Sequence, residues 1–549
     1  MTTMVGEGRT GANWWRGAAI YQIYPRSFQD TTGNGVGDLA GVVDRLGHVA
    51  SLGVDAVWLS PFFKSPMADM GYDVSDYCAV DPLFGTLENF DAVVAEAHLL
   101  GLKVIIDQVL SHTSDQHPWF RESRSSRDNA KADWFVWADP KPDGTPPNNW
   151  LSVFGGSAWE WDSTRRQYYM HNFLTSQPDI NFHNDEARAA LLETVRFWLD
   201  RGVDGFRLDT VNFYFHDLEL RDNPPMPAGR TNDIPDTNPY GYQLHEYDKT
   251  RPENLGFLRA FRALLDRYED RAAVGEVGDG ERSLRTVAEY TEGGDKLHMC
   301  YTFDLLSPNF SAAHVAGCID QFETAVVGGW VCWAFSNHDV ERHASRWARA
   351  GALDTDDVAR FAAGLLVCLR GSICLYQGEE LGLGEADIAY EDLRDAYGIR
   401  FWPAFKGRDG CRTPMVWQAG AANGGFSAAR PWLPVPAEHL ARAVDVQETE
   451  PGSVLHRYRA VLAFRRAHPA LAEGDMTLVE AGPDVLVFIR AHGNEKLLCV
   501  FNFAGDAREW TLPEALASLE PLPMPGSAAR VDDGRLMLQP LDGFCARLT

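Results

Sequence analysis

The chain has 549 residues, 45% of them hydrophobic and 11% aromatic, which supports a substantial core and is too long for one ordinary domain. Its 77 acidic against 50 basic side chains give a formal net charge of −27, which repels polyanions and argues against a nucleic-acid partner. No segment approaches the roughly 20 apolar residues of a membrane span, and Met1 to Ala19 has no apolar core of signal-peptide length, so a cytoplasmic protein without a membrane anchor is expected. Nine cysteines are scattered without a Cys-x-x-Cys pair, and Cys332, Cys368 and Cys374 lie inside apolar runs, a pattern of reduced thiols rather than of disulfides or a zinc site.

In chain order, strand candidates are Ala19 to Tyr24, Val54 to Ser60, Lys103 to Asp107, Val203 to Leu208, Ala272 to Val277, Trp330 to Phe335 and Ser372 to Tyr376, with a poorly marked one near Tyr301 to Leu305. Most are continuous apolar runs, as buried parallel strands are. Amphipathic helices separate them. Phe90, Val93, Val94, Ala97 and Leu100 share one helical face, with Asn89 placed to cap its start and Gly101 its end. A second helix uses Ala187, Leu191, Leu192, Val195 and Trp198 and stops at Gly202, just before the fourth strand. This alternation and length predict an α/β protein built on a closed (β/α)8 barrel.

Two stretches interrupt the pattern. Residues 111–184 are rich in Trp, Asp, Asn, Gly and Pro and read as a subdomain inserted after the third strand, and Asp217 to Asn254 reads as a long loop after the fourth. Beyond about Arg465, short alternating segments such as Val485 to Ile489 and Leu497 to Phe501 predict an antiparallel β domain. The predicted organisation is barrel over 1–110, insert over 111–184, barrel over 185–465 and β domain over 466–549.

Barrel enzymes place their chemistry at strand C-terminal ends. Here the third strand ends on Asp107 and His112, the fourth on Arg207 and Asp209, the fifth on Glu276 and the seventh on Asn337, His338 and Asp339. Arg207 and Asp209, two apart on a strand, share a face, so the guanidinium can hold the carboxylate ionised. Gathering several carboxylates at one mouth costs several kcal/mol in desolvation, a cost that points to function.

Five motifs in this order, Asp107-Gln-Val-Leu-Ser-His112, Gln177-Pro-Asp-Ile-Asn181, Gly205-Phe-Arg-Leu-Asp209, Gly275-Glu276-Val277 and Phe335-Ser-Asn-His-Asp339, resemble glycoside hydrolase family 13, the α-amylase family. Met70-Gly-Tyr-Asp-Val-Ser-Asp-Tyr77, Tyr376-Gln-Gly-Glu-Glu-Leu-Gly382 and Arg408-Asp-Gly-Cys-Arg-Thr-Pro-Met415 look like its α-glucosidase and oligo-1,6-glucosidase branch. The resemblance implies a barrel, an inserted subdomain and a C-terminal β-sandwich. It also implies Asp209 as nucleophile, Glu276 as general acid and base, and Asp339 as the third carboxylate, with His112 and His338 beside it. Asp69 and Arg408 are expected to clamp the terminal glucose, Tyr72 to stack on its ring, and Phe154 and Phe173 to form walls or, as readily, subdomain core. Thr210 after the nucleophile leans toward α-1,4 bonds, and Gly278 leaves room for a leaving or accepting sugar. The expected partners are small α-glucosides and alcohol or sugar acceptors, and the expected assembly is a monomer or homodimer.

Three activities fit the resemblance: an exo-acting retaining α-glucosidase that also transfers glucose, a dedicated transferase or isomerase such as a sucrose isomerase or trehalose synthase, and a non-catalytic transporter-ancillary relative. The last is disfavoured by the retained carboxylates and the lack of a membrane span. One metal candidate remains. Asp30, Thr32, Asn34, the Val36 carbonyl and Asp38 alternate with glycines as in the first part of an EF-hand loop, and related enzymes bind Ca2+ or Mg2+ at such a loop, so a structural ion is expected.

Overall fold

The computed structural model describes residues 11–227, 234–325 and 328–549. Part of the stretch Met1 to Ala19 and part of the loop after the fourth strand, residues 228–233, lie outside the described residues. Eight strands, β1 (Ala19–Ile23), β2 (Ala56–Leu59), β3 (Lys103–Gln108), β4 (Gly205–Leu208), β5 (Ala272–Val277), β6 (Met299–Thr302), β7 (Cys332–Ala334) and β8 (Ser372–Tyr376), form one parallel sheet. Its order is β6-β5-β4-β3-β2-β1-β8-β7, and a parallel bridge between Cys300 and Val331 joins the two ends into a ring.

The apolar runs hide a period of two. Ile20, Ala56, Trp58, Ile105, Val274, Met299, Tyr301 and Cys374 fill the barrel interior, while their neighbours Tyr21, Val57, Leu59, Val104, Ile106, Phe206, Leu208, Cys300 and Leu375 pack under the helices. Both faces are buried, so composition alone cannot separate them.

Two details differ from the sequence reading. The sixth strand is Met299–Thr302 rather than Tyr301 to Leu305, because the chain leaves the ring at Phe303 (φ −88°, ψ 0°) and Asp304–Leu306 winds into a 3-10 turn whose leucines are buried beside it. In the helix Leu87–Leu99 the N-cap is Thr86, not Asn89. Its hydroxyl accepts the Asn89 N–H, and the Asn89 side chain accepts the Thr86 N–H.

Between β3 and β4 an insert carries the antiparallel strands Trp137–Ala138, Trp159–Asp162 and Gln167–Met170 over its own small core of Val136, Trp150, Trp159 and Met170. Helices continue past Arg465 through Pro469–Glu473, so the change to β structure falls at Asp475. There a five-stranded and a three-stranded antiparallel sheet share the core of Val487, Leu498, Val500, Trp510, Leu536 and Phe544, which makes a sandwich. Buried Arg490 ties it to the barrel, donating to the carbonyls of Cys368 (2.6 Å) and Gly474 (2.9 Å). All nine cysteines are free thiols. Among the described residues no helix is long and apolar enough to cross a membrane.

Candidate active site

Strand β4 points Gly205 and Arg207 inward, and the same parity carries Asp209 to the barrel mouth. Register then assembles the site: Asp107 lies opposite Arg207 across β3 and β4, Val274 opposite it across β4 and β5, and Glu276 opposite Tyr301 across β5 and β6. The fully buried Arg207 guanidinium therefore meets three carboxyls. One nitrogen donates to Asp107 at 2.8 Å and to Asp209 at 2.6 Å, and its partner approaches Glu276 at 2.7 Å. Burial alone would lower the Arg207 pKa, but Asp107 and Glu276 hold it well above its ordinary value.

One cation cannot offset three buried anions. Burial raises Asp107 to about 6, and Asp209 and Glu276 to about 7 each, against the pull of Arg207. Asp209 is thus not simply held ionised by Arg207: near neutral pH it and Glu276 titrate together as one set. Glu276 is further held by the Tyr301 hydroxyl (2.8 Å) and the Thr210 N–H (3.0 Å). Thr210 itself has φ 40° and ψ 49°, a strained left-handed backbone for a β-branched residue, which aims its N–H at Glu276 while its hydroxyl reaches Asp209 at 3.3 Å.

Asp339 behaves in the opposite way. Burial would raise it, but Arg408 (3.1 Å) and Arg412 (2.9 Å) both donate to Oδ1 and bring it well below the ordinary carboxylate range. His338 lies 3.2 Å from its Oδ2, but burial depresses the imidazole pKa well below its ordinary value, so this neutral ring makes a hydrogen bond and the two arginines supply the charge. His338 is also engaged by Gln22 and the Tyr72 hydroxyl. Tyr72 lies nearly parallel to His338, with ring centroids 5.4 Å apart and planes within 3°, the imidazole sitting at its hydroxyl end, and it also donates to Asp107.

Asp69 and Arg408, expected to clamp the terminal glucose, form an ion pair. Arg408 donates to Asp69 at 2.8 Å and is held from behind by Asp395, which accepts from its side chain at 2.8 and 3.2 Å and from its backbone N–H. His112, lowered to about 4 by burial and so neutral, is linked to Asp69 through Gln177. Phe154 and Phe173 are absent from the insert's core. They pack edge to face 5.5 Å apart, Arg408 lies 5.0 Å over Phe154, and Phe173 faces His112, so both lie beside the site residues. A Cβ built at Gly278 would meet Phe303 at 3.7 Å, an ordinary contact.

The sequence reading did not single out Tyr301, Arg412, Asp395 or Tyr397 as site residues. Arg412 lies in a quoted motif and could have been found there. Tyr301 needs the β5–β6 register, and Tyr397, stacked 5.0 Å from Phe154, needs the tertiary approach of the insert to the helix Ala396–Phe401.

The side-chain oxygens of the Asp30 to Asp38 loop, where a structural ion is expected, already accept several hydrogen bonds. Asp30 Oδ1 accepts from the Thr32 N–H, the Thr32 hydroxyl and the Gly33 N–H, and Oδ2 from the Gly35 N–H and the Ser427 hydroxyl. Asp38 caps the helix Leu39–Leu52 through Gly41 and accepts from Thr31, while the Asn34 side-chain oxygen accepts the Val36 N–H. Most of these donors belong to the loop itself, and Ser427 is the exception. If these donors take the place of an ion, the melting temperature should coincide in EDTA and in millimolar Ca2+ or Mg2+. A concentration-dependent rise with either ion, measured by calorimetry, would show a site.

Comparison with known proteins agrees with this geometry. The profile of the alpha amylase catalytic domain matches residues 22–474, and that of the maltogenic amylase C-terminal domain matches 476–543. A probable alpha-glucosidase of Rhizobium meliloti (strain 1021) is 62% identical over 539 residues, spanning 98% of this chain and 97% of its own. An oligo-1,6-glucosidase of Heyndrickxia coagulans is 36% identical, spanning 91% and 94%. Among solved structures, the alpha-glucosyl transfer enzyme XgtA superposes with a TM-score of 0.95 at 55% identity, covering 98% of this chain and 100% of its own.

Proposed function

The chain belongs to the α-amylase family, glycoside hydrolase family 13, and on that premise we propose that it is an exo-acting retaining α-glucosidase. It releases glucose from the non-reducing end of short α-1,4-glucosides and passes glucose to alcohol acceptors. The observation that carries this reading is the pair Asp209 and Glu276 held on two nitrogens of one guanidinium. Both carboxyls thus face one guanidinium at the barrel mouth, as suits a pair that acts on one anomeric carbon in a double displacement, where the separation is roughly 5 to 5.5 Å.

In the first step Asp209 attacks the anomeric carbon while Glu276 gives its proton to the departing oxygen, leaving a covalent glucosyl-enzyme. In the second, Glu276 takes a proton from water or an alcohol, which attacks the same carbon and restores both groups. Asp339, kept ionised by Arg408 and Arg412, grips sugar hydroxyls as positive charge grows on the ring. The Asp69–Arg408 pair favours chain ends, and Thr210 favours α-1,4 over α-1,6 bonds.

A second reading, a dedicated glucosyl transferase or sucrose isomerase, is favoured by the high similarity to the solved transfer enzyme. Product analysis decides between them. Maltose should give free glucose, with transfer products appearing as alcohol is added, and turn over faster than isomaltose. Sucrose converted to a rearranged disaccharide with little glucose would overturn the hydrolase reading. The cytoplasm, with small glucosides as partners, is the proposed setting.

A further inference from the structure

Tyr301 lies opposite Glu276 across β5 and β6, and its hydroxyl has one proton to give. Arg207 donates to the phenol oxygen from Nε at 3.2 Å and from Nη2 at 2.7 Å. A guanidinium has no acceptor, so the phenol proton cannot point back at it and goes to Glu276 Oε1, 2.8 Å away. Burial raises the Tyr301 pKa well above its ordinary value, which keeps this proton on the phenol throughout the neutral range.

The two oxygens of Glu276 are therefore unlike. Oε1 faces the Tyr301 hydroxyl and, at 2.7 Å, Arg207 Nη2, so a further proton on it would meet two positive hydrogens. Oε2 accepts the Thr210 N–H at 3.0 Å and keeps a second lone pair. We propose that Tyr301 is a positioning residue for the acid, which occupies Oε1 and so makes Oε2 the oxygen that exchanges the reaction's proton. In the first step the O–H bond at Oε2 breaks, its electron pair stays on the carboxylate, and the proton goes to the departing glycosidic oxygen. In the second the same pair takes a proton from the incoming water or alcohol.

The Tyr301 bond also favours ionised Glu276, because a carboxylate accepts more strongly than a carboxylic acid. It works with Arg207 on β4, against burial and against the charges of Asp107, Asp209 and Asp339, which face the same carboxyl from β3, β4 and β7. Tyr301→Phe removes this donor alone from Glu276. Nη1 of Arg207 stays on Asp107 and Asp209, and the ring keeps Trp58 and Phe303 with centroids 6.0 and 6.4 Å away. The inference rests on the α-glucosidase reading for its kinetic test, though not for its test by stability.

In Tyr301→Phe the alkaline limb of kcat/KM on maltose should move up by about one pH unit, because Glu276 holds its proton more tightly. Its kcat on maltose should fall about tenfold and that on nitrophenyl α-glucoside much less, since the latter's leaving group needs little protonation. A limb that stays or moves down, or equal losses on both substrates, would overturn the assignment. Calorimetry gives a second reading. A folded pKa raised further costs stability as pH rises through it, so the variant's melting-temperature deficit should grow between about pH 6 and about pH 8. In a Glu276→Gln background the deficit should not change with pH, while the acceptor lost to Arg207 is common to both backgrounds and drops out. The same pH dependence in both backgrounds would overturn the proposal. If wild type cleaved no α-glucoside, the functional reading would fail, and the melting series would still decide whether Tyr301 governs the Glu276 proton.

Discussion

Asp209→Asn is expected to abolish turnover of maltose and of nitrophenyl α-glucoside alike, by about 10⁴-fold or more in kcat, equivalent to about 5 kcal/mol. The amide cannot attack the anomeric carbon, so no substrate, however reactive its leaving group, can form the glucosyl-enzyme. The fold should persist, because Arg207 keeps Asp107 at 2.8 Å and Glu276 at 2.7 Å when Asp209 loses its charge. Mass spectrometry of enzyme quenched with a slowly turned-over fluoroglucoside should show a glucosyl adduct on wild type and none on the variant. An adduct on another residue, or near-normal kcat, would remove Asp209 from the role.

Glu276→Gln should separate substrates that Asp209→Asn does not. Losing the proton donor is worth about 10² to 10⁴-fold for natural glucosides, whose leaving oxygen needs protonation, and much less in the first step for nitrophenyl glucosides. Equal losses on both would refute the acid role. The pH dependence has a definite sign. Burial raises Glu276 to about 7, so the proton that it must donate is present below that pH and is lost as pH rises through it. Wild-type kcat/KM on maltose should fall on that alkaline limb, and the limb should disappear from the nitrophenyl glucoside profile of the variant.

Stability follows the same shift. The folded pKa lies above the ordinary value of about 4.3, so the unfolded chain gives up this proton first and the native state loses stability as pH rises between the two values. Glutamine does not titrate. The variant's melting temperature should therefore match wild type near pH 4 and exceed it increasingly toward pH 7, a trend that calorimetry across this range can check. A variant less stable at pH 7 than at pH 4 relative to wild type would show that Glu276 is ionised and stabilised in the resting site.

Much of the fold and of the site is legible in the residues themselves. Seven of the barrel strands stand out because a strand buried on both faces must be apolar throughout, and the carboxyls stand out because charge at the end of such a run needs a reason. The parity of Arg207 and Asp209 follows from the two-residue period of any strand and needs no structure. Less legible was what depends on partners far away in sequence. Glu276 owes its raised pKa to burial in a mouth where it shares Arg207 with Asp209 and Asp107, a crowding that strand register creates and local sequence does not contain.

The same division holds at the loops. By itself the sequence determined which side chains could attack, protonate or clamp, because those capacities are chemical and travel with the residue. Tertiary structure alone decided that Tyr301 lies against Glu276, that Gln177 links His112 to Asp69, and that Tyr397 stacks on Phe154. It also brought the Asp30 carboxylate against the N–H groups of Gly33 and Gly35 in its own loop. Direction and distance between remote segments are set by how strands register and loops pack, and neither is encoded at any single position.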